Sequence, residues 1–288
     1  VASVIIWDIR FPRILMGLFV GASLAITGAA LQALVRNPLA DPYVLGISSG
    51  AALGATIGLA FGLGAIVGGF GLPLFAFIGG GLSIVLVYGI AASQGQLPMH
   101  QLLLAGVIVN AVCSALMMFV TSILNPTSLY RVVLWLMGTL NAPSFPMLIG
   151  IGVCLLIAIV LLIWARQALN LLAVGEDAAR SLGVDSVRVQ RTVFLVSAVL
   201  TGAVVSVSGM IGFVGMVIPH LVRILCGADH RLLLPVSALG GGILLMVADT
   251  VARTVVAPAE IPVGVITALI GGPFFIYLLM TRKYRFFA

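Results

Sequence analysis

RQALNLLAVGEDAARSLGVDSVRVQR, residues 166–191, is the one long polar stretch in an otherwise apolar chain. It carries Arg166, Glu176, Asp177, Arg180, Asp185, Arg188 and Arg191. Glu176 and Arg180 stand one helical turn apart with the acid on the N-terminal side, the favourable order for an i,i+4 pair. Gly183 can adopt the left-handed conformation that ends a short helix. Asp185 or Ser186 can cap a second one, with Val187 and the following basic residues giving it an apolar and a charged side. The spacing therefore predicts two short helices on a water-exposed face, built to be touched. A solvated connector between two membrane spans is the other reading this stretch allows.

Outward from it, composition decides the class. With 62% hydrophobic and 8% charged residues and a mean hydropathy of +1.28, the chain exceeds what a soluble core of its length could bury. It reads as an all-α, polytopic transmembrane bundle, a single transmembrane domain over residues 1–288. Glycine is abundant because small residues let membrane helices approach one another. The net charge of +6 does not point to nucleic acid, since the basic residues are dispersed among apolar spans and follow membrane topology. Cys113, Cys154 and Cys226 lie far apart in apolar stretches, with neither metal nor disulfide spacing.

A span needs about 20 apolar residues. Such stretches run over 14–35, 45–63, 72–92, 101–124, 146–165, 192–208, 209–227 (broken by Pro219), 236–251 and 263–280, which makes nine crossings. The first carries Gly17, Gly21, Ala25, Ala29 and Ala33 at four-residue intervals, and the second Gly50, Gly54, Gly58 and Gly62. Both are small-residue stripes for close helix packing. RNPLADP at 36–42 stops the first helix, and further turns are expected near Gly68, Gly69 and Gly71 and at SQGQLPMH, 93–100. Ser128 to Gly138 is too short to cross and reads as a partial or interfacial helix.

Placing 166–191 in the cytoplasm puts Arg36, Arg166, Arg180, Arg188, Arg191, Arg223, Arg231, Arg282, Lys283 and Arg285 inside, as the positive-inside rule requires. Arg10, Arg13, Arg131 and Arg253 fall outside. They either anchor helix ends to headgroups or form a docking surface for an acidic partner or solute. The first residue then also lies outside. The opening VASVIIWDIRFPR has no initiator methionine and no full span before its first arginine, so a preceding helix, making ten crossings, is expected.

What the residues omit narrows the chemistry. Lys283 is the single lysine and no glycine-rich loop precedes it, so a Walker A site is absent. Asp249 alone lies within a span, whereas ion-coupled carriers keep several ionisable groups near the midplane. It reads as a residue bonded to a neighbouring helix rather than a proton relay. No catalytic set and no metal-ligand set is present, His100, His220 and His230 included. A pore powered by another subunit is the first reading; a secondary carrier or channel not powered by ATP is the alternative.

Several motifs are familiar: IRFPR at 9–13, GAALQALVRNPLADPYVLGISSGA at 28–51, LLLAG at 102–106, WLMG at 135–138, LLAVGEDAARSLGV at 171–184, IGFVGMVIPHLVR at 211–223, DHRLLLP at 229–235, ADTVAR at 248–253 and EIPVGVITALIGGPFFIYLL at 260–279. In this collinear set the chain resembles the permease subunit of type II ABC importers, the FecCD family that carries iron-siderophores, haem and cobalamin. The resemblance implies ten helices and a homodimer with the pathway at its interface, in the bacterial cytoplasmic membrane among its lipids. It implies two ATP-binding cassette subunits that hold the ATP and Mg, and a periplasmic or lipid-anchored solute-binding protein. The 166–191 stretch then matches coupling helices that rest in the ATPase clefts, with Glu176, Ala179, Arg180, Leu182 and Gly183 in that contact. Arg10, Arg13 and Arg253 match arginines that pair with glutamates of the binding protein. Arg131, with Trp135 and Met137, frames the outer cavity. At the cytoplasmic gate, where the family can carry small hydroxyl residues, this chain has Met99 and His100. A thioether beside an imidazole suits a flat or metal-bearing cargo such as haem; a wet loop residue is the other reading of His100.

Overall fold

One apolar helix of 31 residues, Ile5–Val35, runs through the middle of the molecule. The computed structural model describes residues 2–63, 70–92, 99–140 and 144–280, and among these every regular element is helical. The predicted turn at Gly68 and Gly69, residues 93–98 of the next turn and the basic tail with Arg282, Lys283 and Arg285 lie outside the described residues.

Pro12 has no N–H to offer the preceding turn, and the central helix is wound as a π-helix over Ile5–Arg10 just before it. Its main part, α1, is Phe11–Val35, and from Val20 to Leu34 every residue is buried. The small-residue stripe explains how. A Cβ at Gly21 would collide with the backbone of Gly241, and one at Gly28 with that of Gly215. No larger side chain fits at either crossing.

The other elements are α2 Ile47–Ala60, α3 Gly71–Ala91, α4 Met99–Ser122, α5 Pro126–Leu136, α6 Phe145–Trp164, α7 Arg166–Val174, α8 Glu176–Ser181, α9 Ser186–Ser208, α10 Val214–Cys226, α11 His230–Thr254 and α12 Val263–Met280. Helices α6, α9, α10 and α11 pack around α1. The second glycine stripe faces α3, where Cβ atoms at Gly50 and Gly54 would strike the carbonyls of Gly79 and Phe75. α3, α4 and α6 turn Leu82, Val85, Leu86, Val107, Met118, Phe119, Leu156 and Val160 outward, an apolar exterior suited to lipid or to a second copy.

Among the described residues six helices are long and apolar enough to cross a membrane: the central one, α3, α4, α6, α9 and α11. The other three predicted crossings are shorter apolar helices, Ile47–Ala60, Val214–Cys226 and Val263–Leu278. α2 and α10, with 14 and 13 residues, reach only ~20 Å at 1.5 Å per residue, against a core of about 30 Å. Both start inside the bundle from a left-handed residue, Gly46 with φ 78° and Phe213 with φ 70°. The added Cβ of Gly46 would touch Gly106 of α4 and Ser83 of α3, and that of Gly215 would touch Leu24 of α1. The polar turn at 36–42 is thus the start of a connection that folds back among the helices. Asp41 is 5% exposed there, its Oδ1 accepting from the Tyr43 N–H at 2.8 Å.

α5 is the expected partial helix, shifted by two residues, because Asn125 caps it by accepting from the Ser128 N–H at 2.8 Å. In 166–191 the pattern differs more. Asp185 does cap a helix, accepting from the Arg188 N–H at 3.0 Å, but that helix is the spanning α9 rather than a short one. The platform's two short helices are α7, which the charge spacing did not reveal, and α8.

Candidate functional site

Each end of the bundle gathers predicted residues around a cavity. At the end expected to face outward, Arg13 on α1 meets Asp249 on α11, with Nη2 donating to Oδ1 at 2.9 Å and Nε shared between Oδ2 at 3.1 Å and Oδ1 at 3.2 Å. Its Nη1 reaches Glu260 Oε2 at 3.0 Å. Arg253, one turn on from Asp249, places Nε 3.1 Å from the same carboxylate. Asp249 is therefore bonded to a neighbouring helix, as expected. Arg13, Asp249 and Glu260 share a cavity of about 420 Å³ with Arg131 and Trp135.

This changes the picture of the outer arginines. Arg10 stands exposed on the π-helical turn, Arg253 is half-buried, and the Arg13 side chain is 13% exposed and engaged by two carboxylates of its own chain. Met137 does not join Arg131 and Trp135. It lines a separate, largely apolar cavity of about 570 Å³ with Met210, Phe213, Met216 and Asp41. Backbone crossings close this region, since Cβ atoms at Gly138, Gly209 and Gly264 would strike Met210, Trp135 and Met137 carbonyls.

At the inner end a cavity of about 640 Å³ brings Met99 and His100 of α4 together with Glu176, Asp177 and Arg180 of α8, and with Arg36, Asn37 and Gln190. Sequence reading placed the first two in a gate and Glu176 and Arg180 in a partner contact; the fold sets them around one cavity. Arg180 Nη2 donates to Glu176 Oε1 at 2.7 Å and its Nε to Ser186 Oγ at 3.0 Å. That ring ties α8 to the start of α9.

The platform has an anchored side and an open side. Leu169, Leu172 and Ala179 are buried in the main core. Ala179, expected in a partner contact, is 0% exposed, its side chain packed into the main core on the inward side of α8. Leu182 is 67% exposed, and Gly183, with φ 81°, has open space around it. Val174, at the end of α7, is 79% exposed and was missed, although an apolar residue directly before Gly175 was a readable signal. Among the described residues no group of three or more His, Cys, Asp or Glu could hold a metal.

Comparison with known proteins covers the chain almost entirely. The model of the FecCD transport family matches residues 1–281. The hemin transport system permease protein HmuU of Yersinia pestis is 45% identical over 282 residues, 96% of this chain and 84% of the relative. The cobalamin import system permease protein BtuC of Halobacterium salinarum is 45% identical over 99% of this chain and 75% of its own. A metal-chelate type ABC transporter solved in an inward-facing conformation superposes with a TM-score of 0.89 at 36% identity, over 97% of this chain and 88% of that one. PsaBC from Streptococcus pneumoniae, solved with Fab, shares the fold alone, with a TM-score of 0.64 at 17% identity over 96% and 93%.

Proposed function

The chain belongs to the FecCD transport family, and from that premise we propose that it is the transmembrane permease subunit of an ATP-binding cassette importer. It moves an iron-siderophore, haem or cobalamin-like chelate inward across the bacterial cytoplasmic membrane by alternating access. The chain makes no chemical bond; ATP and Mg act on two partner ATPase subunits. A second copy completes the pathway, with the apolar faces of α3 and α4 turned to it or to lipid.

The observation that carries this reading is the inner platform. Two short helices are held by buried Leu169, Leu172 and Ala179 and offer Val174 and Leu182 to the outside. An exposed apolar pair on a fixed base is what a partner cleft can grip. Outside, the open charges of Arg10 and Arg253 suit an acidic binding protein, whose long-range attraction salt would weaken. Arg13 would join that contact only by exchanging Glu260 for a partner carboxylate.

Uptake of hemin and of cyanocobalamin by vesicles holding the chain with and without its ATPase subunits tests the reading. Accumulation that needs ATP and the ATPase supports it. Accumulation driven by an ion gradient without the ATPase would make the chain a secondary carrier and overturn it.

A further inference from the structure

Polar links of two kinds join the inner platform to the spans. The Glu176–Arg180–Ser186 ring connects neighbours in sequence; the other crosses from α7 to the start of α11. There Asn170 Oδ1 accepts from the His230 backbone N–H at 2.9 Å and lies 2.6 Å from His230 Nδ1. Its Nδ2 donates to Asp229 Oδ1 at 2.8 Å. An oxygen that already accepts the backbone N–H can face Nδ1 at that distance only if Nδ1 carries the proton, so His230 donates as well. The Asp229 oxygen also accepts the Arg231 N–H at 2.9 Å, capping α11. That backbone bond first, and the Asn170 amide second, hold Asp229 below the usual carboxylate range.

The N-terminal donors of a helix have no partner within it. In α11 one is taken by its own cap and another by a side chain of α7. The Asn170 amide serves both sides of this clasp, because its oxygen accepts from the histidine and its NH2 donates to the carboxylate. A displacement of α7 therefore acts directly on the end of α11.

α11 is placed to carry that displacement outward. From His230 to Asp249 it rises ~28 Å at 1.5 Å per residue, and at Asp249 and Arg253 it holds half of the outer charge cluster. Along the way it lies backbone to backbone on α1, at Gly241 over Gly21 and Gly242 over Leu18. The carbonyls of Gly21 and Leu18 leave no room for a Cβ at either crossing, so the two helices are placed to shift together.

We infer that Asn170 is a positioning residue for coupling: through its clasp on Asp229 and His230, motion imposed on α7 and α8 reaches the outer cavity along α11. This rests on the importer reading above. The test uses the chain assembled with its ATPase subunits in lipid nanodiscs, with Cys113, Cys154 and Cys226 replaced by alanine and spin labels at Tyr130→Cys and Val255→Cys, across the outer cavity. ATP hydrolysis and the label distance change on trapping with ATP and vanadate are read together.

The unaltered clasp should give a distance change, and its absence would count against alternating access itself. Asn170→Ala and Asn170→Asp should keep hydrolysis within about twofold and cut the label response about fivefold or more. The aspartate variant faces Asp229 with a second carboxylate. Asn170→Asp with Asp229→Asn removes the facing carboxylates and lets the amide now at position 229 donate to the carboxylate at position 170, at the cost of the Arg231 N–H bond to position 229. It should recover part of the response, about twofold or more above Asn170→Asp alone. A full response in Asn170→Ala, a proportional loss of hydrolysis and assembly in it, or failure of the exchanged pair to rescue would each overturn the inference.

Discussion

At the outer end Arg13 lies 13% exposed against an Asp249 that is 6% exposed, whereas at the inner end Arg180 pairs with Glu176 while half of its side chain is in water. The chemical partners are the same, and burial separates them. Two charges drawn out of water are held only by one another, so removing one leaves the other uncompensated at a cost of several kcal/mol. The exposed pair loses a few tenths, because water replaces what is removed. The outer cluster thus fixes α1 to α11, and the inner ring sits where contacts can be exchanged. A protein that must be gripped and moved at one end needs that contrast.

The largest expected effect follows from the outer pair. Asp249→Ala should destabilise the chain by ~3–5 kcal/mol, read as a lower melting temperature in detergent, and Arg13→Met combined with Asp249→Leu should recover part of the loss. An Asp249→Ala protein that melts like the parent would erase the distinction between the two ends.

Asp41 sharpens it through pH. Burial pushes its carboxyl up to about 6, against the opposing effect of the Tyr43 N–H. A folded value above the ordinary carboxylate range means that the neutral form belongs to the fold. Its contribution is fully present below about pH 4 and is lost as pH rises through about 6. Asp41→Asn keeps the acceptor for Tyr43 and should stabilise by ~3 kcal/mol at pH 8 and by nothing at pH 4. Melting curves at the two pH values check it; an equal shift at both would mean that Asp41 is ionised and satisfied in the fold.

The sequence told more about the outer than the inner end, for a physical reason. Composition demanded a membrane bundle, and the stripes at Gly21, Gly50 and Gly54 are legible because close helix approach tolerates little else. Asp249 was legible because a lone charge in a span needs a partner. By contrast, Gly209 marks the end of α9, but no sequence signal shows that the half-length α10 begins at a left-handed Phe213, because its depth is set by tertiary packing. Ala179 was misassigned because charge spacing around Glu176 and Arg180 shows that a helix exists but not which of its sides is packed. Asn170 went unnoticed because an uncharged residue in a polar run carries no signal until its partner, about 60 residues away in sequence, is beside it.

Smaller effects belong to the inner end. Gly183 has φ 81° with open space where a Cβ would go, so Gly183→Val meets no atom and costs only the backbone conformation, ~1–2 kcal/mol. The expected outcome is an assembled complex that hydrolyses ATP with less transport per ATP; full coupling would return residues 182–185 to a simple connector. Glu176→Gln should change stability least of all, by ~0.5 kcal/mol or less, since the amide oxygen can still accept from Arg180 and Ser186. Its value lies in that smallness. If Glu176→Gln melts like the parent while Asp249→Ala does not, equal chemistry at the two ends has been separated by burial alone. A loss at Glu176 as large as that at Asp249 would instead make the inner ring a structural clamp, and its exchange during transport would have to be abandoned.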